Sequence, residues 1–197
     1  DASDLITALR RQQLTMGFNV LMPGPRLIWQ FEELGYDYSI NTCSDGVTVD
    51  PDCRVAAKPV RWDYYDEPER RHLYDVSAAL GRLKRDYPAF GPDASWFSLD
   101  VDQGFGKRMM FEHTQGDAIV VGNYRTSALD MVPGFTHVGT WYDYLSGEAL
   151  EVTELEATMP FAPGEFHVYT DVALDVPELT EIDVDQDGQL ASEGDCN

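Results

Sequence analysis

Basic residues are the scarcest class in this sequence: 14 Lys and Arg stand against 35 Asp and Glu in 197 residues, a formal net charge of −21. Beyond Arg125 the remaining 72 residues contain neither Lys nor Arg and carry 16 Asp or Glu. Such a surface repels phosphate backbones and anionic lipid, which argues against nucleic-acid and peripheral membrane partners. No apolar run approaches the ~20 residues that a spanning helix needs. The patterns HExxH, CxxC, GxSxG and the phosphate loop are all missing, and the four histidines (His72, His113, His137, His167) lack metal-ligand spacing. Metallohydrolase and serine-hydrolase chemistry therefore have no support. The sequence starts at Asp1 without Met or signal peptide, which suggests a cut piece or a mature product, and the pattern described next favours the first.

What is present supports a folded core. Hydrophobic residues make up 43% and aromatics 12% of the chain, too much for wholesale disorder. Three parts are expected, roughly 1–90, 91–172 and 173–197. The first begins with a helix on Leu5, Ile6, Leu9, Met16 and Val20, with Asp1 and Asp4 in its acidic first turn and Pro23-Gly24-Pro25 as its stop. Leu27-Ile28-Trp29 then reads as a strand buried on both faces, as in a parallel sheet. A second helix is signalled by a capping box from Asp66 to Glu69, Pro68 in the first turn and an apolar face of Leu73, Val76, Leu80 and Leu83, ended by Tyr87-Pro88.

The middle part changes period. Short strand-like runs at Trp96–Leu99, Met109–Phe111, Ala118–Val121, Val138–Leu145, Ala149–Thr153 and Phe166–Tyr169 alternate with Gly, Pro, Asp and Asn, as in an antiparallel sandwich. A lone helix–strand–helix unit is a misfit beside it. Its buried strand needs neighbours on both edges, so residues 1–90 read as the closing unit of a larger α/β domain.

Two stretches carry a family resemblance. Pro23 to Tyr36 (PGPRLIWQFEELGY) resembles the last barrel strand and following loop of the α-amylase family of glycoside hydrolases. Lys58 to Tyr65 (KPVRWDYY), with Arg82 to Phe90 (RLKRDYPAF), resembles its last barrel helix. Gly139 to Glu148 (GTWYDYLSGE) and Ala162 to Phe166 (APGEF) look like the antiparallel C-terminal domain that follows that barrel. The resemblance implies α/β plus all-β architecture: the closing βα unit of a (β/α)8 barrel, then an antiparallel β-sandwich. It also implies retaining chemistry on α-glucans by an Asp nucleophile, a Glu acid/base and a third Asp. Those lie on barrel strands four, five and seven and have no counterpart here, so the chain alone is expected to be inactive. The missing N-terminal barrel portion and an α-glucan are the expected partners. The alternative is a non-catalytic glucan-binding or calcium-dependent adhesion module.

Candidate residues follow. Glu32 and Glu33 stand where a barrel strand would enter its loop. Retaining carboxyls flank one bond ~5 Å apart, whereas consecutive residues of an extended chain point to opposite sides. One glutamate is therefore expected to anchor the loop and the other to face the cleft. Phe31 and Tyr36, with Trp29 and Tyr38, offer rings to stack on a pyranose, against the alternative that they pack the barrel core and loop. Trp96, Trp141, Tyr142 and Tyr144 raise the same choice, and core packing is the simpler explanation. Cys43 and Cys53 would close a loop by a disulfide in a secreted protein and remain free thiols in a cytosolic one. Asp183, Asp185, Asp187 and Gly188 match positions one, three, five and six of a calcium loop. Position twelve is Gly194 and not Glu, so the stretch resembles the aspartate-rich calcium repeats of extracellular bacterial proteins more than an EF-hand. The alternative is a solvated acidic linker. Calcium and a secreted or extracytoplasmic setting are the expectation.

Overall fold

A computed structural model describes residues 4–92, 96–101 and 106–183. Helix α1 spans Leu5–Leu21. Asp4 is its N-cap and not a first-turn residue: its carboxylate accepts the Thr7 N–H at 2.8 Å, satisfying one of the orphan donors of the first turn. At the other end Lys84 donates to the carbonyls of Val20, Met22 and Gly24 at 2.7–2.9 Å, so the ammonium caps α1 beside Pro23-Gly24-Pro25. Helix α2 spans Pro68–Asp86 with Pro68 in the first turn, where no N–H is needed. Its N-cap is Glu67, one residue beyond the expected Asp66, and no side chain caps it; Glu67 accepts instead from Arg70 Nε at 2.8 Å. Among the described residues no helix is long and apolar enough to cross a membrane.

Between the helices the chain departs from expectation. Leu27-Ile28-Trp29 is not a strand, and the three side chains are 80%, 40% and 47% exposed. A parallel strand exists only when neighbours supply its hydrogen bonds, and no described strand reaches this segment. Three 3-10 turns follow at Glu32–Leu34, Pro51–Val55 and Trp62–Asp66.

Eight strands follow: β1 Trp96–Asp100, β2 Gly106–Glu112, β3 Ala118–Asn123, β4 Leu129–Met131, β5 Gly139–Asp143, β6 Ala149–Val152, β7 Met159–Phe161 and β8 Phe166–Thr170. Six form an antiparallel sheet in the order β1-β2-β3-β8-β5-β6, and β4 pairs with β7 in a separate ribbon. Strand β3 shows why the order works. Ala118 and Val120 face the helices, while Ile119 and Val121 face the ribbon. Every residue of β3 is buried, which explains its unbroken apolar run. The sandwich is thus lopsided: helices cover one face, and the second sheet is reduced to β4–β7. Strands of three residues carry too little alternation to stand out from a loop, so the sequence pattern does not reveal this ribbon.

The helix-side core joins both halves of the chain. Leu14, Met16 and Leu21 of α1 and Val76, Leu80 and Leu83 of α2 lie in one cluster with Met109, Phe111, Val120 and Val168 of the sheet. After β8 the chain returns along α2. Leu174 and Leu179 pack on this core, Thr180 donates to Asp75 through N and Oγ1 at 2.9 and 2.7 Å, and His72 Nδ1 meets the Thr180 carbonyl at 2.6 Å.

Candidate functional site

Residues 28–38 and 59–64 form an aromatic and acidic shelf packed against α2. Phe31 begins it with φ 57°, left-handed backbone that a bulky side chain adopts only under constraint. The constraint is visible. Its carbonyl accepts from Leu34 and Tyr36 N–H at 2.9 and 3.1 Å, and its ring meets Trp62 edge-on at 4.9 Å and Tyr36 stacked at 6.0 Å. Gly35 closes the turn at φ 68°, where a Cβ would lie 2.3 Å from Leu9 Cδ2, so only glycine lets the shelf sit this near α1.

The two glutamates separate in role. Glu32 and Glu33 lie on a 3-10 turn and not on the extended backbone expected, because no sheet holds this segment straight. Glu32 Oε2 accepts the Trp29 N–H at 3.0 Å and pins the turn. Glu33 lines an open cleft of about 390 Å³ with Ile28, Trp29, Gln30, Phe31, Tyr74, Ser77 and Ala78. Tyr36 donates to the Pro59 carbonyl at 2.8 Å, Gln30 Nε2 reaches the same oxygen at 3.0 Å, and burial with nearby Tyr38 raises the Tyr36 pKa. Phe31 is buried, so it supports the shelf and does not form its exposed surface; Trp29 and Trp62 present the open rings.

Beneath the rings lies a charged network that residue-by-residue reading of the sequence misses. Arg61 Nη1 donates to Tyr38 and Tyr64 at 2.8 and 2.9 Å, and its guanidinium sits 3.9 Å from the Tyr64 ring centroid. Arg70, buried on α2, lies 3.8 Å from the same ring and donates to the Leu34 and Gly35 carbonyls and to Asp37. Asp37 also accepts from Tyr64. Burial alone would raise its pKa, but hydrogen bonds from Tyr64 and Arg70 outweigh it and hold the carboxylate below its usual range. The available signal is the Arg61-Trp62-Asp63-Tyr64 run, whose partners stand 23–27 residues away in sequence. This network fixes polar groups without using the rings' outer faces.

The remaining candidates fall elsewhere. Cys43 and Cys53 are joined by a disulfide. Lys58 fills the loop they close, donating to the Ile40, Thr42 and Cys53 carbonyls at 2.6–2.8 Å. Asp183 is the last described residue, and Asp185 and Asp187 lie outside the described residues. Trp141 is fully buried against Phe135, and Tyr144 is buried too, while Trp96 is 44% exposed. The histidines are less scattered in space than in sequence. His167 lies between Asp143 and Glu165, and His137 stands beside Asp117 and Asp171.

A six-stranded antiparallel sheet carrying two helices on one face defines the class of the fold. No protein-family model matches the chain, and no curated protein matches it in sequence. Solved structures of α-amylase-family glycoside hydrolases share the fold. AmyP in complex with maltose aligns at a TM-score of 0.62 and 15% identity, over 86% of this chain and 35% of its own. The α-amylase from Geobacillus thermoleovorans, complexed with acarbose, gives 0.59 and 14% over 82% and 33%. A cyclomaltodextrinase gives 0.61 and 18% over 83% and 26%. The chain thus corresponds to between about a quarter and a third of each of these enzymes.

Proposed function

We propose that this chain is the C-terminal part of a secreted α-amylase-like glycoside hydrolase acting on α-glucans such as starch or maltodextrin. Residues 1–90 close its (β/α)8 barrel, the sheet supports the cleft from beneath, and the catalytic Asp, Glu and Asp lie upstream. One observation carries the reading: Leu27–Trp29, which lies in no strand, exposes its apolar side chains, and the nearby loop exposes Val60 and Trp62, at 66% and 67%. The Trp29 backbone is tied to Glu32, but a contiguous apolar surface of this kind is one built for a neighbour. Barrel strands would supply that neighbour, and the fold comparisons favour the same family.

In this reading Glu33 and the rings of Trp29 and Trp62 border the cleft, and Phe31, Glu32 and Tyr36 hold them in place. The Asp183, Asp185 and Asp187 run binds calcium, whose hard oxygen ligands it supplies. The Cys43–Cys53 disulfide supports an oxidising, extracytoplasmic setting. The test compares this chain with the full-length product of its gene on soluble starch and maltodextrin. Reducing sugar is expected from the longer protein and none from the chain alone. Release by the chain alone, lost in Glu32→Gln or Glu33→Gln, overturns the proposal. Retention of the chain alone on insoluble starch, abolished by Trp29→Ala or Trp62→Ala, would replace it with the binding-module reading.

A further inference from the structure

Asp117, His137 and Asp171 come from three separate strand ends, and one ligand-type atom from each lies within 4.8 Å of the others. Asp117 precedes β3 and Asp171 follows β8; the two strands pair antiparallel with Ala118 opposite Thr170, so the backbone itself sets the carboxylates side by side. The Asp117 N–H donates to Asp171 Oδ1 at 2.8 Å, and Tyr87 Oη, from the end of α2, donates to the same oxygen at 3.1 Å. Asp117 Oδ1 accepts the His113 N–H at 2.9 Å, and its Oδ2 accepts the Thr136 hydroxyl at 2.5 Å. Each carboxylate is oriented by donors behind it, the arrangement that aims ligand carboxylates at an ion.

The imidazole is an independent observation. His137 Nδ1 faces the Val138 carbonyl at 3.0 Å, and Nε2 faces Asp171 Oδ2 at 3.1 Å. A carbonyl oxygen only accepts, so Nδ1 carries a hydrogen, and Nε2 is the nitrogen that faces the carboxylate, as the second N–H of an imidazolium or, in the neutral ring, as a lone pair that a metal ion can share. A proton or a metal ion can bridge the two atoms, and a metal ion can also take Asp117 as a third ligand. Two donor atoms each ~2.1 Å from one ion stand ~3.4 Å apart at the tetrahedral angle that Zn²⁺ prefers, so small side-chain adjustments from the 3.1 Å between Nε2 and Oδ2 would admit the ion. Trp141 holds the ring in place, its own ring tilted by 30° at 4.9 Å between centroids and its Nε1–H donating to the His137 carbonyl at 3.1 Å. The side chain is still 46% exposed, which leaves an entry path and room for water ligands.

We propose that Asp117, His137 and Asp171 form a divalent-cation site for a transition metal of the Zn²⁺ type. Two carboxylates and a dication sum to zero charge, whereas a proton on His137 leaves the group negative. An imidazole nitrogen suits Zn²⁺ and its neighbours in the first-row series and is a poor ligand for Ca²⁺. A bound ion would tie β3, β5 and β8 to the end of α2 through Tyr87. The test is calorimetric titration of the 197-residue chain with Zn²⁺ alone near neutral pH, and with Ca²⁺ separately. One equivalent of Zn²⁺ is expected, with affinity lowered at least about tenfold in His137→Gln and in Asp171→Asn. It should be unchanged when Asp183, Asp185 and Asp187 are all replaced by Asn. The His137 ring resonances of the unsubstituted protein should shift on Zn²⁺ addition, a readout independent of how the variants fold. Absence of Zn²⁺ uptake, uptake unaltered in His137→Gln, or unmoved ring resonances would overturn the site and leave a His137–Asp171 ion pair closed by a proton.

Discussion

His167 shows how one side chain can hold two turns. Its Nε2 meets Glu165 Oε1 at 2.8 Å and its Nδ1 meets Asp143 Oδ2, while Tyr169 stacks on the ring and Phe161 meets it edge-on. A neutral ring donates from one nitrogen only, so both carboxylates are satisfied by the imidazolium. Asp143 in turn accepts the Leu145 and Ser146 N–H groups of the β5–β6 turn, and Glu165 accepts that of Ala162. Burial lowers the His167 pKa, yet the hydrogen bonds and charge of Asp143 and Glu165 outweigh it, and the pKa is raised from 6.5. A raised folded-state pKa contributes stability that is whole below the unfolded value and is lost as pH climbs through the folded one. Scanning calorimetry should find the thermal midpoint falling as pH rises above about 6.5. His167→Gln should be less stable at pH 6 and show a shallower fall. A variant with the unsubstituted protein's pH slope would refute the imidazolium clamp.

Among the elements, two glycines separate helix propensity from packing. Gly81 lies inside α2, more than a turn before its end, and no neighbouring group stands within 4 Å of the place a Cβ would take, so an added methyl meets open space. Gly81→Ala should therefore stabilise by about 0.5–1 kcal/mol, the usual gain in an exposed helix interior. Gly122 is buried in β3, where a Cβ would lie 2.3 Å from Leu14 Cδ1, 3.0 Å from Phe166 Cβ and 3.2 Å from the Glu165 carbonyl oxygen. Gly122→Ala should cost about 1–3 kcal/mol by pushing α1 off the sheet. Urea denaturation of the pair decides it, and a Gly122→Ala protein as stable as the parent would mean that α1 is not seated on β3 as described.

For the molecule as a unit, the shared core sets how the chain unfolds. A sheet domain ordered apart from residues 1–90 would leave Met109, Phe111, Val120 and Val168 facing water, since Leu14, Leu21, Val76 and Leu80 cover them. Unfolding followed by far-UV circular dichroism, which reports α1 and α2, should coincide with unfolding followed by tryptophan fluorescence, which includes Trp141 of the sheet. Hydrogen exchange should protect Leu14–Leu21 and Val76–Leu83 as strongly as β3. Two separated transitions, with the helices melting first, would contradict a common core.

Local pattern alone specifies the two helices, whose 3.6-residue apolar repeats and proline stops need no distant partner, and the six longer strands with their turn residues. It also marks one of Glu32 and Glu33 as a loop anchor, which the structure shows to be Glu32, and offers Cys43 with Cys53 as a pair, because each contact spans ten residues or fewer. The rest depends on tertiary contacts. Leu27-Ile28-Trp29 and the Ala118–Val121 run look alike as short apolar stretches, yet β3 finds partners on both edges and both faces while the first finds none among the described strands. The Asp37–Tyr64–Arg70 network spans 27–33 residues, and the Asp117–Asp171 contact spans 54. Chain closure over such distances leaves no local period to read, because the groups become neighbours only when the helices and sheet bury a common apolar face.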